Sequence, residues 1–245
     1  MKTIIQFIHS ILAYPAILIS TILASLAAAF FGFFNPHSNL TTSAIRLWGR
    51  SLLWLSGSKL IIEGLENIEP DKAYVFAANH LGALDIPGVI FAIPQTARFI
   101  AKKELFRIPL FSMGMRNSGM LKIDRGNSEE ARKTLDEAIG TIKNGCSVVI
   151  FPEGTRSKSG QIQNFKKGAF ILALNGRIPI IPTVIMGTQH SVSKNNLIKS
   201  GSIKIKFLPA IDTTNADYEQ RNKLVQIVKE NIVSEFEPDF NKGEI

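Results

Sequence analysis

A histidine and an aspartate five residues apart form the first pair in this sequence with the means to do chemistry. His80 and Asp85 lie in the segment NHLGALDIP, directly after the apolar run 74–78. Five residues turn through about 500° on an ideal helix, so the two side chains meet only if the segment bends, which Gly82 permits. If Asp85 accepts the Nδ1 proton of His80, Nε2 becomes a base for a hydroxyl that attacks a carbonyl. A lone histidine is more often structural, but this pair predicts general-base acyl transfer.

Cations follow other apolar runs in the same way. The loop FPEGTRS contains Gly154, which allows close backbone approach, and Arg156, whose guanidinium is a fork of donors suited to phosphate. Arg125 ends a further apolar run, and Lys102 and Lys103 end another. Isolated basic side chains usually only face solvent at the protein surface. These cations therefore predict a phosphate site only if the fold brings them together.

The elements that must position these residues can be predicted from apolar runs and their periodicity. Seven short apolar runs bounded by turn residues predict strands at 60–62, 74–78, 98–101, 120–123, 147–151, 179–185 and 202–208. Helical patterns lie between them, at 88–93, 128–143, 167–175 and 217–236. Strands that alternate with helices predict an α/β sheet covered on both faces.

The N-terminal segment has the most unusual composition in the chain. No charged residue lies between Lys2 and Arg46, and the apolar run 4–34 exceeds the roughly 20 residues needed to cross a hydrocarbon core. Pro15 predicts a kink and Pro36 a stop. A cleaved signal peptide would be shorter and more basic at its start, and a surface helix would be amphipathic. The segment therefore predicts a membrane anchor, either a tilted spanning helix or bent helices within one leaflet.

Charge and cysteine content narrow the class of protein. The 28 Lys and Arg residues outnumber the 20 Asp and Glu residues, giving a net charge of +8 that favours nucleic acid, anionic lipid, phosphorylated substrates or acidic carrier proteins. The apolar N-terminus and the lack of a basic helix argue against nucleic acid. The single cysteine, Cys146, excludes an internal disulfide and favours a reducing, cytosol-facing location. We expect membrane-anchoring helices in 1–57 and a catalytic domain in 58–245.

Five segments together resemble, in order and spacing, the sequence blocks of the glycerolipid acyltransferase family, especially its 1-acylglycerol-3-phosphate acyltransferases. They are NHxxxxD at 79–85, KxEL at 102–105, GxxxxDR at 119–125, FPEGTRS at 151–157 and IPIIP at 178–182. Any one block is weak evidence, whereas the ordered set is highly specific. The resemblance covers roughly the stretch 60–210 and implies a mixed central sheet flanked by helices, with the N-terminal helices as the anchor.

The resemblance also implies a reaction. A fatty acyl group would pass directly from acyl-CoA or acyl-carrier protein to the sn-2 hydroxyl of 1-acyl-sn-glycerol-3-phosphate (lysophosphatidic acid), giving phosphatidic acid. His80 would be the base and Asp85 its partner, with no covalent acyl-enzyme and no cofactor besides the acyl donor. The site would lie on the cytoplasmic face of the membrane, which is the inner membrane if the source is bacterial.

Substrate contacts are implied by the same blocks. The residues that would bind substrate are Lys102, Lys103, Arg125, Glu153, Gly154, Thr155 and Arg156. The acceptor phosphate would meet Arg125, Arg156 and Lys103. The block 178–182 would shape the acyl site, although a plain buried strand explains its apolar content equally well. The four histidines show no paired ligand spacing, so no metal is expected.

Other functions stay open to different degrees. Another acceptor, such as glycerol-3-phosphate, a lyso-ornithine lipid or a different lysophospholipid, would use the same blocks. A noncatalytic lipid-binding protein of the same fold is disfavoured because His80 and Asp85 are both present. Cys146, next to a predicted strand, is expected to be a core thiol rather than a nucleophile. Serine-hydrolase and nucleotide-hydrolase motifs, GxSxG and GxxxxGK, do not occur in the sequence.

Overall fold

Seven strands form a single sheet in the computed structural model, which describes residues 2–124 and 126–241. The strands are β1 Ser58–Glu63, β2 Val75–Ala78, β3 Ala97–Lys102, β4 Leu121–Ile123, β5 Ser147–Ile150, β6 Ile180–Met186 and β7 Gly201–Phe207. Each of the predicted strands is present, with ends that differ by no more than two residues. Apolar runs bounded by turn residues were therefore a sufficient signal for the sheet.

The strand order explains why loops distant in sequence become neighbours. The order is β1-β7-β6-β2-β5-β3-β4, and every adjacent pair is parallel except β6 and β7. The sheet is mixed, as the family resemblance implied. The carboxyl ends of β2 to β6 consequently share one edge, and the loops that follow those strands gather there. We call this edge the site edge of the sheet.

Helices cover the sheet on both faces and also extend beyond it. They are α1 Lys2–Phe34, α2 Asn39–Leu55, α3 Asp85–Ala92, α4 Phe111–Asn117, α5 Ser128–Lys143, α6 Gly168–Gly176 and α7 Arg221–Ser234. The four predicted helical patterns correspond to α3, α5, α6 and α7. The short helix α4 was not predicted, because its seven residues have too few turns to show a periodic pattern.

Alternation along the central strand β2 divides the core into two halves. Val75 and Ala77 point to one apolar cluster, formed with α5, α6 and α7, whereas Phe76 and Ala78 point to the other, formed with α2 and α3. All four side chains have no exposed surface. A strand buried on both faces has a continuous apolar sequence, which is why polar and apolar residues do not alternate in β2.

The N-terminal helix α1 is one continuous helix that runs through Pro15. Within the described residues it is the one helix long and apolar enough to cross a membrane, and only 22% of its most apolar window is buried. Exposed apolar side chains of α1 and α2 form a surface that we call the apolar face. Its residues, each more than half exposed, include Ile8, Leu12, Leu18, Leu23, Phe30, Phe33, Phe34, Leu40, Leu47 and Trp54.

The opposite side of α1 is held to the rest of the protein along the length of the helix. In its first half, the Tyr14 hydroxyl donates to the carbonyl of Asn196 at 2.6 Å. In its middle, the indole N–H of Trp48 donates to the hydroxyl of Thr21 at 3.1 Å. Near its end, the Ala29 carbonyl accepts from the side-chain amide of Asn117 at 3.0 Å. The helix therefore lies along the domain and does not project from it.

A buried arginine joins the first two helices to the sheet. Arg98 on β3 has no exposed surface. Its guanidinium donates to the carbonyl oxygens of Pro36 at 2.5 Å and Ala97 at 2.7 Å, to that of Ser118, and to the hydroxyl of Thr42 at 3.3 Å. Burial lowers the pKa of Arg98, because removal from water penalises the charged form. The hydrogen bonds stabilise this buried cation and fix the turn between α1 and α2 against the sheet.

We expect Arg98→Lys to lower the free energy of unfolding by roughly 2–4 kcal/mol, because lysine cannot reach all of these acceptors and leaves buried carbonyls unpaired. The matched control is Arg46→Lys on α2, since Arg46 is partly exposed and makes two longer bonds of 3.3 Å. Denaturant unfolding in detergent measures both changes. Equal stability of the two variants would contradict the role given to Arg98.

Candidate active site

The predicted contact between His80 and Asp85 is present at the site edge. His80 lies two residues beyond β2, and Asp85 is the first residue of α3. The Nδ1 atom of His80 lies 2.6 Å from Oδ2 of Asp85. The carboxylate has no exposed surface, and the imidazole side chain retains 13%. The same Oδ2 accepts the backbone N–H groups of Leu81 at 2.7 Å and Gly82 at 2.8 Å, so the connecting segment wraps around the carboxylate.

Gly82 is required for a different reason from the one the sequence indicated. Its φ angle is not in the left-handed region, so the bend between His80 and Asp85 does not depend on glycine's conformational freedom. A Cβ atom at this position would instead lie 2.3 Å from the carbonyl oxygen of Thr188. The predicted turn is present, but glycine is needed for the close approach of the segment that follows β6 and not for its φ angle.

That segment supplies the remaining hydrogen bond to Asp85. The hydroxyl of Thr188 donates to Oδ1 of Asp85 at 2.5 Å, and Thr188 is only 2% exposed. Gly187, which precedes it, has a φ of 89° and turns the chain out of β6. Thr188 was not predicted from the sequence, because a single threonine 103 residues away from its partner forms no local pattern. Its one signal was its place just beyond a predicted strand.

An aromatic ring and a second carboxylate fix the position of His80. The imidazole stacks on Phe151, with ring centroids 4.2 Å apart and an interplanar angle of 20°. The backbone N–H of His80 donates to Oε1 of Glu153 at 2.8 Å, and the carbonyl of His80 accepts from the N–H of Ser157 at 2.8 Å. The other oxygen of Glu153 accepts the N–H of Gln163 at 3.3 Å. The loop after β5 therefore holds the loop that contains His80.

Glu153, predicted to bind substrate, is directed to the protein backbone instead of solvent. The residue is 4% exposed. Burial raises the pKa of Glu153, while the backbone N–H groups of His80 and Gln163 oppose that rise by stabilising the ionised form. The neighbouring Gly154 is buried and has a φ of 80°, a conformation that favours glycine. Both residues shape the loop from which Arg156 extends.

The predicted cations are placed in three different situations. Lys102, Thr155 and Arg156 are exposed. In the described part of the chain, neither Lys102 nor Arg156 has a side-chain hydrogen bond or ion pair. Lys103 is paired with Asp124 at 2.6 Å, and this hydrogen bond is the main reason the pKa of Asp124 is lowered. Arg125 lies outside the described residues. The structure thus leaves Lys102 and Arg156 free to meet an anion and offsets part of the Lys103 charge.

An apolar cavity of about 110 Å³ lies between the first helices and the sheet. Its lining includes Ala24, Ala28, Trp48, Ile86, Phe99 and Phe111. Ile86 follows Asp85 directly in α3, and the ring of Phe99 stacks on Phe151 at a centroid distance of 5.8 Å. Because Phe151 in turn stacks on His80, a single ring separates the cavity wall from the imidazole.

The block 178–182, considered for the acyl site, is explained by the core. Ile180 and Ile181 on β6 have no exposed surface and contribute to opposite apolar clusters. Neither residue lines the apolar cavity. The plain buried strand is therefore sufficient to explain the apolar content of this block.

This arrangement can act as a proton acceptor. A carboxylate that accepts a hydrogen bond from Nδ1–H of His80 fixes the tautomer in which Nε2 carries a lone pair, and the cavity beside it suits a hydrocarbon chain. Among residues 2–124 and 126–241, no three His, Cys, Asp or Glu side chains are grouped so as to hold a metal ion.

Comparison with known proteins gives consistent matches. A 1-acyl-sn-glycerol-3-phosphate acyltransferase from Cocos nucifera is 36% identical over 182 residues, which cover 74% of this chain and 58% of that protein. One from Borreliella burgdorferi is 32% identical over 186 residues, 76% of this chain and 74% of that protein. The chain thus spans less than two thirds of the coconut protein's length.

Similarity to a solved structure extends over nearly the whole chain. The crystal structure of the 1-acyl-sn-glycerophosphate acyltransferase PlsC from Thermotoga maritima matches with a TM-score of 0.78 and 27% identity. The match covers 96% of this chain and 97% of that one. The family model described as Acyltransferase matches residues 59–186, the stretch that contains His80, Asp85 and Glu153. This chain belongs to the acyltransferase family.

Proposed function

We propose that this protein transfers a fatty acyl group from acyl-CoA or acyl-carrier protein to the sn-2 hydroxyl of 1-acyl-sn-glycerol-3-phosphate, which gives phosphatidic acid. The observation that carries the proposal is the 2.6 Å contact between His80 and the buried Asp85, one ring away from an apolar cavity. The choice of acceptor is supported by the relatives from coconut and Borreliella, which are named for this activity.

The reaction needs one base and no redox step. Asp85 holds the Nδ1 proton of His80, so Nε2 takes the proton of the acceptor hydroxyl as the oxygen attacks the thioester carbonyl. The new C–O bond forms, the C–S bond breaks, and the imidazolium returns the proton to the departing thiolate. Because acyl transfer changes no oxidation state, the acyl donor is the only co-substrate that this chemistry requires.

A covalent route through cysteine has no support. Cys146 is 1% exposed, and burial raises the pKa of its thiol to about 11. A thiol with that pKa is almost wholly protonated at neutral pH and is a poor nucleophile. Cys146 also precedes β5, whereas His80 follows the parallel strand β2, so the two residues lie at opposite edges of the sheet.

We assign the acceptor phosphate to the exposed cations of the site edge. Arg156 and Lys102 are unpaired within the described residues, and a guanidinium fork matches phosphate oxygens with two parallel hydrogen bonds. Lys103 would contribute less, because Asp124 already offsets its charge. Arg125 and Thr155 keep the substrate-binding roles implied by their sequence blocks, whereas the buried Gly154 contributes by shaping the loop. Holding the phosphate fixes the hydroxyl against the thioester.

The contacts of α1 support one arrangement of the protein at a membrane. A helix held to the domain near Tyr14, Thr21 and Ala29 cannot cross a bilayer alone, so we propose that the apolar face lies within one leaflet. Ala24 on α1 and Trp48 on α2 line the apolar cavity, and a lipid chain would therefore enter it from the leaflet. The division into an anchor at 1–57 and a catalytic domain at 58–245 stays a prediction, as does the cytoplasmic placement.

The test is acyl transfer by the purified protein on phospholipid vesicles. Acyl-CoA and acyl-carrier protein serve separately as donors, and the acceptors are lysophosphatidic acid, glycerol-3-phosphate and lysophosphatidylcholine. We expect the protein to float with the vesicles and to convert lysophosphatidic acid to phosphatidic acid at least about tenfold faster than the zwitterionic lysolipid, since one lost charged contact has that effect.

Each alternative outcome identifies a different error. Transfer to glycerol-3-phosphate or lysophosphatidylcholine alone would keep the chemistry and overturn the proposed acceptor. No transfer from either donor, by protein that floats and is folded, would indicate a noncatalytic lipid-binding protein. Protein that is active in detergent but stays in solution with vesicles would contradict the membrane arrangement.

Arg156→Gln should raise the KM for lysophosphatidic acid about 10- to 100-fold, the effect of removing one charge-assisted contact to phosphate. The KM for the acyl donor should change little. Lys158→Gln is the matched control, because Lys158 is an exposed cation two residues further along the same loop. A loss of donor affinity alone would show that Arg156 has been assigned to the wrong substrate.

A further inference from the structure

We propose that Thr188 is a positioning residue for the reaction, which fixes the Asp85 carboxylate so that His80 presents Nε2 to the acceptor hydroxyl. The inference rests on the proposed function and adds a residue that lies beyond the 59–186 stretch matched by the family model. Its basis is the way in which hydrogen bonds are divided between the two oxygens of Asp85.

The two carboxylate oxygens have different partners. Oδ2 accepts from Nδ1 of His80 and from the backbone N–H groups of Leu81 and Gly82. Oδ1 has one donor in the described part of the chain, the hydroxyl of Thr188. Since Asp85 has no exposed surface, water does not compete for Oδ1. Loss of the hydroxyl would therefore leave half of a buried carboxylate unpaired.

An unpaired Oδ1 has a direct consequence for His80. A carboxylate rotates about its own C–C bond at low cost, and rotation would exchange or misalign the oxygen that accepts the Nδ1 proton. The Thr188 hydroxyl opposes that rotation, because it holds one oxygen while the N–H groups of Leu81 and Gly82 hold the other. With the carboxylate plane fixed, the imidazole orientation is fixed as well.

The position of Thr188 is itself tightly determined. Its carbonyl oxygen approaches Gly82 so closely that a Cβ there would lie at 2.3 Å. The same carbonyl accepts the backbone N–H of Ser191 at 3.2 Å, which closes the short helical turn after β6. The backbone contact and the hydroxyl bond together join the end of β6 to the start of α3. The donor cannot drift away from Oδ1 without moving both elements.

The test compares Thr188→Val, Thr188→Ser and the control Thr213→Val. Valine keeps the shape and removes the hydroxyl, whereas serine keeps it. Thr213 is also fully buried, and its hydroxyl donates to the carbonyls of Ala173 and Ile178, away from the site edge. We expect Thr188→Val to lower kcat about 10- to 100-fold with KM for both substrates little changed, the effect of losing a hydrogen bond to a buried carboxylate.

Thr188→Ser should recover most of kcat, and Thr213→Val should keep wild-type kcat even if it is less stable. Wild-type kcat in Thr188→Val would overturn the inference. So would a serine variant as slow as the valine variant while both are folded, because the loss would then come from the methyl group and packing.

A spectroscopic measurement separates this inference from the proposed function. The Nδ1 proton of His80, shared with Asp85, should give a downfield proton resonance in the resting protein, assigned by its absence in His80→Gln. Thr188→Val should shift or broaden that resonance, whereas Thr213→Val should leave it unchanged. A wild-type protein without acyl transfer would overturn the proposed function, while an unchanged resonance in Thr188→Val would overturn the positioning role.

Discussion

A carboxylate with no exposed surface must find all of its hydrogen bonds inside the protein, and Asp85 meets this requirement with four donors. The donors come from the loop after β2 and from Thr188 after β6. Both strands are parallel neighbours in the sheet, so their carboxyl ends are adjacent. The requirement therefore determines the bend of the His80 segment, the need for glycine at position 82 and the start of α3.

A second buried charge connects this centre to the N-terminal helices. Arg98 on β3 binds the turn between α1 and α2 through the carbonyl of Pro36, and the same strand contributes Phe99 to the wall of the apolar cavity. The Phe99 ring stacks on Phe151, which stacks on His80. The apolar cavity, which α1 and α2 help to line, is thus connected to the imidazole through stacked rings. This continuity makes a lipid substrate a good physical match to the site.

The sheet and the central pair were predictable from sequence, because both depend on local patterns. Apolar runs predicted the strands, and spacing together with the family resemblance predicted the contact of His80 with Asp85. Thr188 and Arg98 were not predictable as structural partners, since their contacts reach across 103 and up to 62 residues and have no local pattern. The ion pair of Lys103 with Asp124 was not predicted for the same reason. Gly82 was assigned to a turn, whereas the structure needs glycine there because the carbonyl of Thr188 lies close to it.

The general-base role of His80 is tested by the kcat of His80→Ala for acyl transfer to lysophosphatidic acid, measured on protein shown to be folded by its unfolding transition. His37→Ala is the matched control, because His37 lies between α1 and α2, away from Asp85. We expect kcat to fall about 10²–10⁴-fold in His80→Ala, the usual contribution of a positioned base, and to change little in the control. A stable His80→Ala protein with wild-type kcat would contradict this role.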